Sequence, residues 1–273
     1  MVEVVARELS TPAIVAAMGV IDTHCHLTYG ELEEAPDEAW QRALDAGVDA
    51  AIVVAIDAET APTVLDFVEP RDELYAAVGL HPNHVADAGP EDMATVSELV
   101  DHRRVVAVGE SGLDTYWDKA PLDMQRRFLD QHIELALDRD LPLILHLRDT
   151  YPLAAKVLEA PAAQGLRGVI HCFAGEADEA DPFIEWGWPI SFSGILTYPR
   201  AGNVREAAER TPLAQCMVET DSPWLTPRGV GRRPNEPAFV IETAKQLAEI
   251  KGVDFETLAA ATSENAREWF RLE

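Results

Sequence analysis

The residues best suited to chemistry open in one short run, Ile21-Asp22-Thr23-His24-Cys25-His26. Side chains two apart on a strand point to the same side, so both imidazoles can grip one metal ion from one face. An isolated His-x-His is commonly a core histidine beside a loop histidine. Here the pair closes an apolar run, and Asp22 ahead of it is a candidate to orient the rings.

Four more residues extend the set. Glu110 follows the apolar run Val105 to Val108 and lies between Gly109 and Gly112. A carboxylate can span two cations with its two oxygens, which an imidazole cannot, so Glu110 is the candidate bridging ligand. The flanking glycines are read as letting the backbone approach a ligand closely. His146 and His171 each close another apolar run, Leu143 to His146 and Gly168 to His171. Either alone would be structural; with His24, His26 and Glu110 they supply ligands enough for two metal ions. Imidazole suits Zn, Mn, Fe or Ni, and carboxylate suits Mg or Mn. Asp221 ends the last run. Asp before Ser-Pro is also turn chemistry, but at this position its carboxylate can touch a metal and take a proton from a water.

These residues need a scaffold that gathers strand ends. Apolar runs rich in Val, Ile and Ala fall at Val20 to His24, Ala50 to Ala55, Tyr75 to Leu80, Val105 to Glu110, Leu143 to His146, Gly168 to His171, Pro189 to Ser193 and Gln215 to Glu219. Helical spacing lies between them, as in Asp37 to Ala46 ended by Gly47, and Pro121 to Asp138 with an inward stripe of Leu122, Phe128, Leu129, Ile133, Leu135 and Leu137. Ala238 to Ile250, Phe255 to Ala261 and Ser263 to Leu272 read as terminal helices. A doubly wound open sheet has the same rhythm. The polar endings decide for an α/β fold of the (β/α)₈ TIM-barrel type: His24 and His26, Asp57, His81, Glu110, His146, His171, Ser193 and Asp221 would converge on one mouth. The domain is taken as 20–273, behind an N-terminal extension, 1–19.

Composition sets the remaining bounds. The chain has 273 residues, no apolar run of membrane-spanning length, and a start lacking a secretory signal, which predicts a cytoplasmic protein. Cys25, Cys172 and Cys216 are odd in number and sit in apolar runs, so they are read as buried free thiols. The net charge is -26, with lysine only at 119, 156, 245 and 251. Such acidity predicts adaptation to salt, because self-repulsion is screened as salt rises.

The ordered motifs DTHCHL, VGLHP, GESGLD, LHLRD, HCFAG, ETDSPWL and RPNEP run from Ile21 toward the C-terminus. As a set they resemble the TatD family of metal-dependent hydrolases. The resemblance implies a (β/α)₈ barrel, deoxyribonuclease activity, and a binuclear site of His24, His26, Glu110, His146, His171 and Asp221 activated by Mg²⁺ or Mn²⁺, with Zn²⁺ as the alternative. Ser111 and Thr115 depart from the family's usual GEIGLDY.

The expected reaction is phosphodiester hydrolysis by a metal-bound hydroxide, with Asp221 as proton acceptor and Glu110 bridging the metals. His81 and Arg148 are expected to contact the phosphate or protonate the leaving oxygen; buttressing the loop and pairing with Asp149 are their respective alternatives. Arg228, Arg232 and Arg233 would add a basic rim. An acidic chain with a cationic site suits DNA ends or small phosphodiesters, hence exonuclease-like action. Two competing readings are an amidohydrolase or phosphotriesterase-like enzyme acting on an ester, lactone or amide, and a non-catalytic metal-binding barrel. The former commonly bridges its metals with a carboxylated lysine, and none of the four lysines ends a strand.

Overall fold

The computed structural model describes residues 19–117, 119–231 and 234–273. The expected extension therefore lies outside the described residues, apart from Gly19.

Eight strands form one sheet in sequence order: β1 (Val20–Cys25), β2 (Val48–Val54), β3 (Leu74–Val78), β4 (Val105–Asp114), β5 (Leu143–Arg148), β6 (Gly168–Ile170), β7 (Ile190–Phe192) and β8 (Cys216–Val218). Every adjacent pair is parallel. Parallel neighbours require crossovers, and these carry α1 (Pro36–Ala46), α2 (Ala61–Val68), α3 (Pro90–Leu99), α4 (Leu122–Arg139), α5 (Tyr151–Ala163), α6 (Asp181–Glu185) and α7 (Gly202–Arg210). After β8 come α8 (Val240–Lys251) and α9 (Phe255–Phe270). The ring closes beyond the end of β8: the Asp221 amide donates to the His24 carbonyl (2.9 Å) and the His26 amide to the Ser222 carbonyl (2.8 Å). This is the (β/α)₈ barrel expected from the polar residues that end the apolar runs.

Strand residues alternate between two apolar layers. Ile52, Val54, Ala77, Ile144 and Met217 pack inside the ring, whereas Val53, Val78, Leu145 and Val218 belong to the larger layer shared with the helices. Ala266 and Phe270 of α9 join the inner layer. The inner layer gives way to polar residues toward the C-terminal strand ends.

Three local readings change. Strand β4 runs four residues past Glu110, and its glycines serve neighbouring strands rather than a ligand. At Gly112 (φ 155°) an added Cβ would lie 1.9 Å from the His146 carbonyl oxygen, and at Gly109 (φ 129°) 2.8 Å from that of Ile144. In α4, Phe128, Leu129, Ile133 and Leu135 are buried as expected, but Leu122 is 38% exposed. Its face is filled one turn on by Gln125, whose side chain accepts from the Asp114 amide (2.7 Å) and donates to the Asp114 and Ala120 carbonyls (2.9 Å each). The two expected C-terminal helices are one: α9 runs unbroken through Thr262, whose hydroxyl bonds back to the Leu258 carbonyl (3.0 Å).

A buried histidine fastens α4 to the barrel. His132 accepts from the Leu80 amide at Nε2 (2.9 Å) and donates from Nδ1 to the Phe128 carbonyl (2.7 Å). Burial pushes its pKa down to about 4. Among the described residues no helix is long and apolar enough to cross a membrane. All three cysteines are free; Cys25 and Cys216 are buried, and Cys172 is only partly so.

Candidate metal centre

The strand ends bring His24, His26, Glu110, His146, His171 and Asp221 to one mouth. A cavity of 780 Å³ opens there, walled in part by His26, Glu110, His146, His171 and Asp221, and also by His81 and Arg148. His24 is wholly buried.

Glu110 is the centre of the arrangement. Its Oε1 lies 3.7 Å from His24 Nε2 and 3.5 Å from His26 Nε2. Its Oε2 lies 3.7 Å from His146 Nδ1 and 3.4 Å from His171 Nε2. Asp221 Oδ1 completes the first group, 3.9 Å from His24 Nε2 and 3.6 Å from His26 Nε2. Ligand atoms bonded tetrahedrally at ~2.1 Å stand about 3.4 Å apart, so these separations match the edges of a coordination polyhedron.

The hydrogen bonds behind the rings say which nitrogens face inward bare. His26 Nδ1 is 2.9 Å from the Val54 carbonyl, a pure acceptor, and therefore carries the proton. His146 Nε2 donates to Asp114 Oδ2 (3.0 Å), and His171 Nδ1 to Glu219 Oε1 (2.9 Å). Each neutral ring then turns a lone pair toward Glu110. His24 Nε2 and His26 Nε2 stand 3.1 Å apart, while buried His24 Nδ1 and Glu110 Oε2 have no hydrogen-bond partner. The lone pairs of His26, His146 and His171 and the oxygens of Glu110 and Asp221 crowd one space that positive charge among them would stabilise, so the donor set fits divalent cations.

The electrostatics agree. Burial would raise the Glu110 carboxyl, but the surrounding imidazoles, His81 and His24 foremost, hold it well below the ordinary value. Asp221 is likewise lowered against burial by His26, His171 and His24. Burial works to lower His171, yet Glu219, Glu110 and Asp221 carry it up to about 10, and His26 and His146 also rise. A proton there occupies the place a cation would take. Burial dominates at His24 and at His81, which falls to about 3.

His81 accepts from the Asn83 amide at Nδ1 (3.0 Å), so Nε2 bears its proton and faces His146 Nδ1 at 3.3 Å. It thus both buttresses its loop and faces the cage. The Arg148 guanidinium lies over the Tyr116 ring, 4.8 Å from its centroid, with Nε 4.0 Å from Asp149. Asp22 does not orient an imidazole: it accepts from the amides of His24 (3.2 Å) and Thr220 (2.9 Å), tying β1 to the end of β8. Asp57 lies off the cage, capping Thr60 and facing His84. Ser193 instead contacts the Cys172 thiol (3.2 Å). Arg228 does not line the cavity, and Arg232 and Arg233 lie outside the described residues. Lys119 does line it, whereas Lys156, Lys245 and Lys251 are on helices, so no described lysine occupies the bridging place.

The sequence reading missed Asp114 and Glu219. Both lie at even spacing from singled-out residues, four after Glu110 and two before Asp221, and strand periodicity would have put each on the same side as its neighbour. It also missed the aromatic wall of Tyr116, Trp117 and Trp224.

A parallel β/α barrel with an imidazole and carboxylate cage at the carboxyl ends of its strands defines a metal-dependent hydrolase. The sequence model of the family described as TatD related DNase matches residues 21–271, and the chain belongs to that family. It is 36% identical over 253 residues to the uncharacterized metal-dependent hydrolase YabD of Bacillus subtilis, covering 93% of this chain and 99% of that one. The crystal structure of YjjV, a TatD homolog from Escherichia coli, superposes with a TM-score of 0.88 at 34% identity, covering 94% of this chain and all of that one (100%). A protein of Pantoea named 3'-5' ssDNA/RNA exonuclease TatD is 30% identical over 259 residues, covering 93% of this chain and 100% of that one.

Proposed function

We propose that the protein hydrolyses phosphodiester bonds of DNA from strand ends, using two divalent cations bridged by Glu110. The observation that carries this reading is the division of the Glu110 carboxylate, one oxygen toward His24 and His26, the other toward His146 and His171. Asp221 completes the first site. Mn²⁺ suits both the imidazoles and the carboxylates of the set, with Mg²⁺ favoured by the carboxylates alone and Zn²⁺ as the alternative. When bound, such ions offset charge on phosphoryl oxygens and acidify a water.

The chain's own groups do the rest. Asp221, ionised and open to the cavity, accepts a proton from the water. Arg148 and Lys119 on the cavity wall offer charge to the phosphate. His81 is neutral, so its Nε2–H serves as a hydrogen-bond donor to phosphate rather than as a cationic acid.

An acidic surface argues against gripping a long duplex, which requires many phosphate contacts from lysine and arginine. Bound ions together with Arg148 and Lys119 would set positive charge at the mouth, which suits a chain end, and the Pantoea relative's name supports an exonuclease. The test is metal-loaded protein, in salt, on strands labelled at either end and on closed circular DNA. Stepwise release of nucleotides from one end is expected; no cleavage, or preferential nicking of the circle, would overturn the reading.

A further inference from the structure

Apolar side chains exposed to water call for an explanation when they cluster beside a site. Tyr116 (54% exposed), Trp117 (55%) and Trp224 (45%) are three of the five large exposed hydrophobic residues among those described, and all three line the cavity. Tyr116 and Trp117 follow β4; Trp224 follows β8, four strands around the ring and so on the opposite side of the mouth. A ring left half in solvent has given up little area to the core.

The β4 pair is held in register with the cage. Asp114 Oδ1 accepts the amides of both Tyr116 and Trp117 (2.9 Å each), while its Oδ2 accepts from His146 Nε2 (3.0 Å) and from Asn83 Nδ2 (2.9 Å). One carboxylate thereby fixes a candidate metal ligand and the start of the aromatic segment. The rings meet edge to face, 4.9 Å apart at 84°, and Arg148 covers Tyr116. Trp117 is the ring left most open.

We infer that Trp117, braced edge to face by Tyr116, forms a stacking wall for the nucleobase of the nucleotide being cleaved and is its principal specificity-determining residue. The inference rests on the phosphodiesterase reading above. Stacking on an indole face tolerates any base but needs a base to be present, so the wall discriminates base-bearing from base-less phosphodiesters at the terminal position. Arg148 lies over Tyr116 and lines the same cavity as Glu110.

The experiment compares two oligonucleotides of one sequence, differing only in an abasic terminal nucleotide, with Mn²⁺-loaded protein. The quantity read is the ratio of kcat/KM for the base-bearing to the abasic strand. The wild-type ratio is expected to be about 10 or greater, the scale of one stacked base. Trp117→Ala, and more fully the Tyr116→Ala/Trp117→Ala double variant, should bring it toward one, mainly through KM, while Trp117→Phe keeps it. Melting curves matching the wild type secure the comparison, since both side chains lie at the surface. A wild-type ratio near one, or a ratio unchanged in the double variant, overturns the wall while leaving phosphodiesterase activity standing. Failure of wild-type protein to cut either strand overturns the parent reading instead.

Discussion

Glu219 Oε1 stands 2.9 Å from His171 Nδ1, with both residues buried and Glu219 wholly so. The bond fixes the tautomer that turns His171 Nε2 toward Glu110. Glu219→Gln should weaken divalent-ion binding about 10- to 100-fold, the usual cost of removing such a support. Titration calorimetry with Mn²⁺ reads it, and wild-type affinity in the variant would show the contact to be incidental.

The two acidic ligands should fail differently. Asp221→Asn keeps an oxygen ligand but loses the proton acceptor, so kcat should fall by about 10² to 10⁴. Glu110→Ala removes the bridge, and both turnover and metal stoichiometry should drop. Metal analysis beside turnover separates the two; full activity in either variant contradicts its assignment.

Stripping the metal should also soften the fold. The ring nitrogens and carboxylate oxygens around Glu110, its Oε2 among them without a hydrogen-bond partner, are left without a divalent cation. Restoring Mn²⁺ to 100 times its Kd adds about 2.7 kcal/mol, or roughly 5 °C or more in Tm for a chain of this size. Calorimetric scans with and without chelator measure it; coincident scans would speak against the cage.

His132 predicts an acid sensitivity of separate origin. Its pKa falls from 6.5 unfolded to about 4 folded, so its contribution is complete above pH 6.5 and drains away as pH drops toward 4. The loss amounts to on the order of 3 kcal/mol. His132→Gln should show a shallower decline in urea stability between pH 7 and 4 than wild type, and parallel curves would refute the account.

The net charge of -26 predicts a salt response. Screening tightens to about 3 Å near 1 M salt, and Tm should climb between dilute buffer and that concentration. A flat profile would dismiss salt adaptation.

The barrel was legible because its strands are buried on both sides and read as apolar runs, and because polar residues punctuate their ends. His24, His26, Glu110, His146, His171 and Asp221 stand at such ends, so convergence followed from topology. Asp114 was not legible, because a strand expected to stop at Glu110 hid the even spacing that places Asp114 beside His146. Asp22 and the glycines around Glu110 were misread for a related reason: their partners, Thr220 and neighbouring strands, are distant in sequence. Thr262, left between two expected helices, lies inside the single helix α9.

The seam between the first and last strands is fastened where Asp221 meets His24 and Ser222 meets His26. The first and last strands are thus buckled together by the backbone of the very residues expected to hold the ions. Under heat or denaturant, a molecule parting along this line loses its catalytic apparatus while most of its helices still stand, so inactivation should precede the collapse of secondary structure.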